Sequence, residues 1–144
     1  MIKDNSMLNV KTIRTIVYPT RDLMASVTAW SKILGDPVYQ NDNSVTFLGK
    51  DGIDIRLSRL PWVNYPLTFW EVEDIEKAHA NMLRDGAIAM SEVQGGTLAE
   101  IGKQPITNGD SKTGVISVPG RKLAIFRLAD GNLVGLVQDL PTAQ

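Results

Sequence analysis

One pattern occurs twice along this chain: an extended apolar run, a helical stretch that opens at an aspartate, and then several short strand-like runs. The first helical stretch begins at Asp22 and stops at Gly35, and the second begins at Asp74 and stops at Gly86. Aspartate is a favoured helix N-cap, and glycine is a favoured stop. A long internal repeat indicates two copies of one supersecondary unit. The sequence therefore predicts two β-α-β-β-β units.

Alternating and β-branched segments predict the strands of both copies. The first copy (residues 11–58) has them at residues 11–18, 37–40, 45–48 and 53–58, and the second copy (residues 67–138) at residues 67–72, 87–93, 123–128 and 133–137. Residues 59–66, with prolines near both ends, form the linker. We expect a single α+β domain over residues 11–138, with an N-terminal tail at residues 1–10 and a C-terminal tail at residues 139–144.

The two copies differ most at residues 94–120, where the second copy has a long segment and the first copy has only a turn. Long loops without secondary structure are uncommon in compact domains, and those that occur are usually functional lids or disordered segments. The sequence leaves both alternatives open.

Composition excludes several classes of function. The 15 Lys and Arg residues nearly balance the 16 Asp and Glu residues, so no charge excess favours nucleic acid or an acidic membrane surface. No apolar run reaches the ~18–20 residues of a membrane span, and the first ten residues lack the apolar core of a signal peptide. The absence of cysteine excludes disulfides, thiolate nucleophiles and cysteine-ligated metals. We expect a cytoplasmic protein that binds neither nucleic acid nor membrane.

The doubled unit resembles the vicinal oxygen chelate superfamily, which includes glyoxalase I, bleomycin-resistance proteins and extradiol dioxygenases. The resemblance rests on the helical segment at residues 22–35, on residues 69–75 (Phe-Trp-Glu-Val-Glu-Asp-Ile) and on the Asp-Gly-Asn-Leu-Val turn at residues 130–134. It covers about residues 11–138. It implies a cupped mixed sheet from the two units, one cavity lined by both, and a homodimer. It is specific for the fold and not for the function.

Metal-using members of that superfamily carry His, Glu or Gln on the first and last strand of each unit. Counting from the repeated Asp and Gly residues places Thr15, Arg56, Leu67 and Gly135 at these four positions. None of them supplies a carboxylate or an imidazole, and arginine does not deprotonate to become a ligand. We therefore expect no metal and no cofactor. The only histidine, His79, lies within the second helix, and we expect it to be packed rather than catalytic.

Strand alternation predicts which residues face the cavity. The candidate ligand-binding residues are Thr15, Asp54, Arg56, Phe69, Glu71 and Gly135, with the linker aromatics Trp62 and Tyr65 at the pocket mouth. Apolar walls with a few fixed polar groups are typical of a small-molecule pocket. The alternatives are an ordinary exposed strand for Asp54 and Arg56, and packing at the joint or a dimer interface for Trp62 and Tyr65.

Three functions remain open. The favoured one is metal-independent binding of a small hydrophobic or aromatic ligand, such as an antibiotic, as in bleomycin-resistance proteins. The second is an isomerase or lyase of the superfamily with an absent or atypical metal site, in which Glu71 is the weak candidate for a general base. The third is a protein-interaction module with a collapsed cavity. The first two differ mainly in whether catalytic groups can be named, and only Glu71 can.

Overall fold

The computed structural model describes residues 10–49 and 52–141 of the 144-residue chain. Residues 1–9 of the predicted N-terminal tail, Lys50 and Asp51 of the first Asp-Gly turn, and residues 142–144 lie outside the described residues. The chain divides into two compact units. The first unit is Ile13–Phe69, and the second unit joins the described residues up to Thr12 with those from Trp70 onward. The fold class is α+β with a mixed sheet, as predicted.

The first unit follows the predicted β-α-β-β-β order. Its elements are β1 (Ile13–Pro19), α1 (Leu23–Leu34), β2 (Tyr39–Gln40), β3 (Ser44–Leu48) and β4 (Asp54–Ser58). Strand β5 (Leu67–Glu71) contributes its first three residues to this unit and its last two to the second. The strand order in the first unit is β2-β3-β4-β1-β5. The pair β1–β4 is parallel, whereas β2–β3 and β3–β4 are antiparallel.

Helix α1 begins and ends where the sequence indicates. Asp22 has an extended backbone (φ −137°), and its carboxylate accepts a hydrogen bond from the Ala25 N–H at 3.1 Å. Gly35 ends the helix at φ +81°, a left-handed conformation that favours glycine. The core between α1 and the sheet contains the buried residues Leu23, Val45, Phe47 and Leu57. Because Ile55 also packs there, alternate residues of β4 face the helix, and the residues between them face the other side of the sheet.

The second unit repeats this order and extends it. After β5 come α2 (Ile75–Arg84), β6 (Ile88–Glu92), β7 (Leu98–Glu100), β8 (Ile116–Val118), β9 (Arg121–Arg127) and β10 (Leu133–Asp139). The strand order is β5-β10-β9-β6-β7, and β8 pairs with β9. Its core includes Ile75, Met82, Phe126 and Leu136 on the helix-facing side of the sheet. Asp74 caps α2 as Asp22 caps α1, since its carboxylate accepts from the Lys77 N–H at 3.1 Å.

The segment at residues 94–120 is not a structureless loop. Strand β7 pairs with β6, strand β8 pairs with β9, and Val93 forms an isolated bridge with Ile106. A turn at residues 110–113, between these two strands, is closed by the Asp110 carboxylate, which accepts from the N–H groups of Lys112 and Thr113 at 2.8 and 3.0 Å. Two short strands joined by hydrogen-bonded turns therefore replace the disordered alternative, whereas a lid stays a prediction.

The other strand predictions agree with the structure within a few residues. Strand β2 is predicted at residues 37–40 and found only at Tyr39–Gln40, so half of the predicted strand is absent. Proline has no N–H for a sheet ladder, which disfavours a regular start at Pro37. Strand β10 extends to Asp139, the first residue of the predicted C-terminal tail. Within residues 10–49 and 52–141, neither helix is long and apolar enough to cross a membrane.

Candidate functional site

The side of the first unit's sheet that faces away from α1 carries a group of polar side chains. The group, called the polar face below, consists of Thr15 on β1, Thr46 on β3, and Asp54, Arg56 and Ser58 on β4. The strand register places Thr15 opposite Asp54, and both Val17 and Thr46 opposite Arg56. Alternation along β4 explains this arrangement, because Ile55 and Leu57 between them pack on α1.

The polar face is hydrogen-bonded and largely shielded from solvent. Thr15, Thr46 and Ser58 are only 3%, 7% and 2% exposed, and Asp54 and Arg56 are half-buried. The Thr15 hydroxyl lies 3.5 Å from Oδ2 of Asp54, to which it donates, and the Ser58 hydroxyl accepts from the Leu60 N–H at 3.2 Å. Burying polar groups is costly unless they are hydrogen-bonded. These polar side chains therefore occupy shielded positions where apolar residues would need no hydrogen-bond partners.

The predicted aromatic residues of the first unit have different environments. Phe69 is buried, with 7% of its surface exposed. Trp62 is half-buried in the linker, and Tyr65 is 42% exposed. An exposed tyrosine ring presents a flat apolar face and a polar hydroxyl to a ligand or to another protein.

The remaining two predicted residues, Glu71 and Gly135, belong to the second unit. Glu71 ends β5, and its backbone accepts from the Lys11 N–H at 2.9 Å and donates to the Thr12 carbonyl at 2.7 Å. Gly135 is buried in the middle of β10, opposite Ile125 of β9. Its neighbours Val134 and Leu136 pack on the α2 core, so Gly135 lies on the other side of the sheet, as alternation predicts.

The four positions at which the superfamily binds metal do not fit a metal ion in this chain. Thr15 and Arg56 lie on neighbouring strands β1 and β4, whereas Leu67 and Gly135 offer no side-chain donor at all. A divalent cation needs several convergent oxygen, nitrogen or sulfur ligands. Among the residues that the structure describes, no group of three or more His, Cys, Asp or Glu side chains is arranged to hold one. The donor set of this chain therefore disagrees with the superfamily's metal site.

His79 has a structural role. It is 5% exposed on α2, and its ring lies 5.2 Å from the ring of Phe126. Its Nε2 is 2.8 Å from the carbonyl oxygen of Thr113, so the tautomer with Nε2 protonated donates a hydrogen bond to that carbonyl. The histidine thus attaches the segment at residues 94–120 to the helix, in agreement with the expectation that it is packed.

Sequence reasoning missed four polar residues of the first unit. Thr46 lies between the buried residues Val45 and Phe47, and alternation along the predicted strand was the signal that could have found it. Arg21, Arg59 and Asn64 line a cavity beside the linker that also has Leu60, Pro61 and Val63 in its wall, but neither Trp62 nor Tyr65. No periodic signal marks this group, because it combines a turn with an irregular linker.

The doubled β-α-β-β-β unit and its strand order define the fold of the vicinal oxygen chelate superfamily, and comparison with solved structures supports this fold. No protein-family model matches the sequence, and no curated protein does. Methylmalonyl-CoA epimerase from Mycobacterium tuberculosis is similar with a TM-score of 0.63 at 14% identity, over 94% of this chain and 93% of that one.

Two further solved structures agree. A glyoxalase/bleomycin resistance protein/dioxygenase superfamily member from Vibrio splendidus 12B01 has a TM-score of 0.54 at 20% identity, over 90% of this chain and all (100%) of that one. The Mn(II)-bound glyoxalase from Novosphingobium aromaticivorans has a TM-score of 0.61 at 19% identity, over 94% of this chain and 41% of that one. At these identities the likeness establishes the fold alone.

Proposed function

We propose that this chain is a small-molecule binding protein that uses the superfamily's fold without its metal ion. The observation that carries the proposal is the polar face, where Thr15 and Arg56 stand at two superfamily metal positions and Thr15 contacts Asp54. Ordered polar groups among apolar residues are the usual composition of a ligand site. On this proposal, the protein binds the ligand's polar atoms directly where other members use a metal ion.

The chemistry of the polar face defines the ligand class. Arg56 supplies a planar set of donors, Asp54 supplies an acceptor, and the Thr15 hydroxyl can do either. Phe69, Trp62 and Tyr65 would contact a flat apolar body. The proposed ligand is therefore an aromatic or amphiphilic compound, such as an antibiotic, that carries both an acceptor for Arg56 and a donor for Asp54. Sequestration of that compound would be the biological role.

The binding experiment uses the protein's own tryptophans. Quenching of tryptophan fluorescence is measured with a panel of aromatic and amphiphilic compounds, each with and without EDTA. A compound that binds saturably and equally well in both conditions supports the proposal. If no compound in a broad panel binds, or if EDTA abolishes binding, the proposal is overturned.

Variants locate the site on the polar face. Arg56→Gln and Thr15→Val should each weaken binding about 10-fold or more, because a hydrogen bond to a charged group contributes about 1.5–3 kcal/mol. The matched controls are Arg84→Gln and Thr28→Val, which make the same substitutions at exposed helix positions. Equal losses in variants and controls would contradict a site at Thr15 and Arg56. Circular dichroism of each variant confirms that it has folded.

The rival function is an isomerase or lyase in which Glu71 acts as the general base, and its support is the fold shared with an epimerase and a glyoxalase. Recovery of the bound compound separates the two functions. A pure binder returns the compound chemically unchanged after long incubation. Conversion that is lost in Glu71→Gln, with binding retained, would favour the enzyme.

We also propose that the protein is a homodimer, since closed twofold assemblies are the commonest form of soluble oligomer and the superfamily commonly uses them. Light scattering after size-exclusion chromatography tests this directly. A mass near twice the 15.8 kDa of one chain is expected, and a monomer mass at micromolar concentration would contradict it.

A further inference from the structure

The cavity beside the linker lies wholly within the first unit, between the β1–α1 turn and the linker. Its volume is about 380 Å³, in the range of small-molecule sites. Arg21, Arg59 and Asn64 supply polar side chains to its wall, and Pro19, Pro61 and Val63 supply apolar ones. None of these residues belongs to the polar face.

The parallel pairing of β1 and β4 brings the two arginines to one cavity. Pro19 and Ser58 are register partners at the carboxyl ends of these strands, and the Thr20 N–H donates to the Ser58 carbonyl at 2.9 Å. Arg21 directly follows Thr20, and Arg59 directly follows Ser58, the two residues that this hydrogen bond joins. The Arg59 N–H is in turn fixed to the Asn43 carbonyl at 2.8 Å, so the backbone on the β4 side is held in place.

No side chain among the described residues neutralises the charge at this cavity. Within the described parts of the chain, neither the Arg21 nor the Arg59 guanidinium has a hydrogen bond or an ion pair. The acid next to Arg21 is Asp22, whose carboxylate accepts from the Ala25 N–H and is not part of the cavity wall. Two positive side chains therefore line one cavity, and none of the described residues in its wall is acidic.

We infer that this cavity is a binding site for a small organic anion, a carboxylate or phosphomonoester attached to a compact apolar body. The guanidinium fork matches both carboxylate and phosphate oxygens and binds them with paired hydrogen bonds. The amide of Asn64 offers a further donor. Pro19, Pro61 and Val63 would contact the apolar body, which explains why a bare inorganic ion is not the best fit. This site is separate from the polar face and does not depend on the function proposed there.

The test is isothermal titration of the full chain with three probes of one shape: benzoate, phenyl phosphate and the neutral benzamide. We expect saturable binding of at least one anion and at least tenfold weaker binding of benzamide. Arg21→Gln and Arg59→Gln should each weaken anion binding about tenfold or more, and the double variant should abolish it. Higher salt should also weaken binding, because these arginines are exposed.

Two controls identify the site. Arg84→Gln removes the same charge from α2 and should leave affinity within twofold. Lys77→Gln, at a second exposed position of α2, should also leave it unchanged. The inference is overturned if neither anion binds saturably, if benzamide binds as well as the anions, or if the double variant retains full affinity. It is also overturned if Arg84→Gln or Lys77→Gln loses as much affinity as Arg59→Gln.

Discussion

The two units share one plan and differ in where their polar chemistry lies. Both have an aspartate-capped helix on one side of their strands. The last strand of the first unit, β4, pairs in parallel with β1, and the last strand of the second unit, β10, pairs antiparallel with β9. On the side away from the helix, however, the first unit carries Thr15, Asp54 and Arg56, whereas the middle of β10 in the second unit carries Gly135. The two copies thus share a backbone plan but not the side chains at corresponding strand positions.

In the second unit, a buried polar side chain lies on the helix, at His79. Its helix α2 buries Ile75, Ala78, His79 and Met82, whereas Leu23 is the buried residue of α1. His79 extends the contacts of α2 to Thr113 in the segment at residues 94–120, for which the first unit has no counterpart. The two units therefore keep one plan but differ in content: the first has a polar sheet face, and the second has an additional pair of strands.

Alanine substitutions in the two cores should have the largest effect on stability, and they test whether the cores are equivalent. Phe47 in the first unit and Phe126 in the second both have 0% of their surface exposed. Substituting either by alanine should lower the free energy of unfolding by about 3–5 kcal/mol, because a large cavity replaces a buried ring. Urea denaturation measures both. A loss below about 1 kcal/mol at one site only would break the equivalence.

His79→Phe tests the contact found only in the second unit. The substitution keeps a ring against Phe126 but leaves the Thr113 carbonyl without its donor, so stability should fall by about 1–3 kcal/mol. Amide exchange should accelerate around residues 107–116 more than in the first unit. Lys77→Ala, at an exposed position of the same helix, should change stability by less than about 0.5 kcal/mol. Unchanged exchange in that segment would contradict the role assigned to His79.

The two helix caps should respond alike. Asp22→Ala and Asp74→Ala each remove a carboxylate that accepts a backbone N–H at 3.1 Å, and each should cost about 0.5–2 kcal/mol. Replacement by asparagine, which can also cap, should restore most of the loss. Thermal unfolding of the four variants is sufficient. A loss at one cap and none at the other would show that the halves are less similar than their geometry indicates.

The smallest expected effect is the loss of stability at low pH when two turn aspartates, Asp110 and Asp130, become protonated. The Asn132 N–H bonded to Asp130 lowers the pKa of that carboxyl, and the Lys112 N–H does the same for the pKa of Asp110. A carboxyl whose pKa is lower in the folded state stabilises the fold above its unfolded pKa of about 3.9, and the stabilisation is lost as pH falls through the lowered value. Carbon-detected NMR titration should find both carboxyls still ionised when ordinary aspartates are half protonated. Midpoints at or above the ordinary value would contradict this.

The fold could be predicted from the sequence because its signals are local and repeated. Asp22 and Asp74 cap their helices as predicted, and counting from them placed Thr15 on the strand that pairs with that of Arg56. The alternation that assigned Ile55 and Leu57 to the α1 core also assigned Asp54 and Arg56 to the opposite side. Strand alternation and helix capping each depend on only a few neighbouring residues, so these features can be predicted from a short stretch of sequence.

The features that the sequence did not predict depend on distant partners. Strands β7 and β8 have three residues each, too few for an alternation signal, and the segment that contains them is anchored by His79 on α2. The cavity with Arg21 and Arg59 forms only because β1 and β4 pair in parallel with Pro19 opposite Ser58. Neither feature follows from a short window of sequence.

The proposed function requires that this chain bind its ligand without the superfamily's metal ion. The most direct measurement is the thermal unfolding midpoint of EDTA-treated protein with and without Zn²⁺, Ni²⁺, Mn²⁺ or Fe²⁺. We expect no stabilisation by any of them, because Thr15, Arg56, Leu67 and Gly135 stand at the four ligand positions that counting along the repeat predicts. A resident metal at 100 times its Kd would instead add about 2.7 kcal/mol and raise the midpoint by roughly 10 °C. A saturable rise of that size with one metal, reversed by EDTA, would contradict the claim.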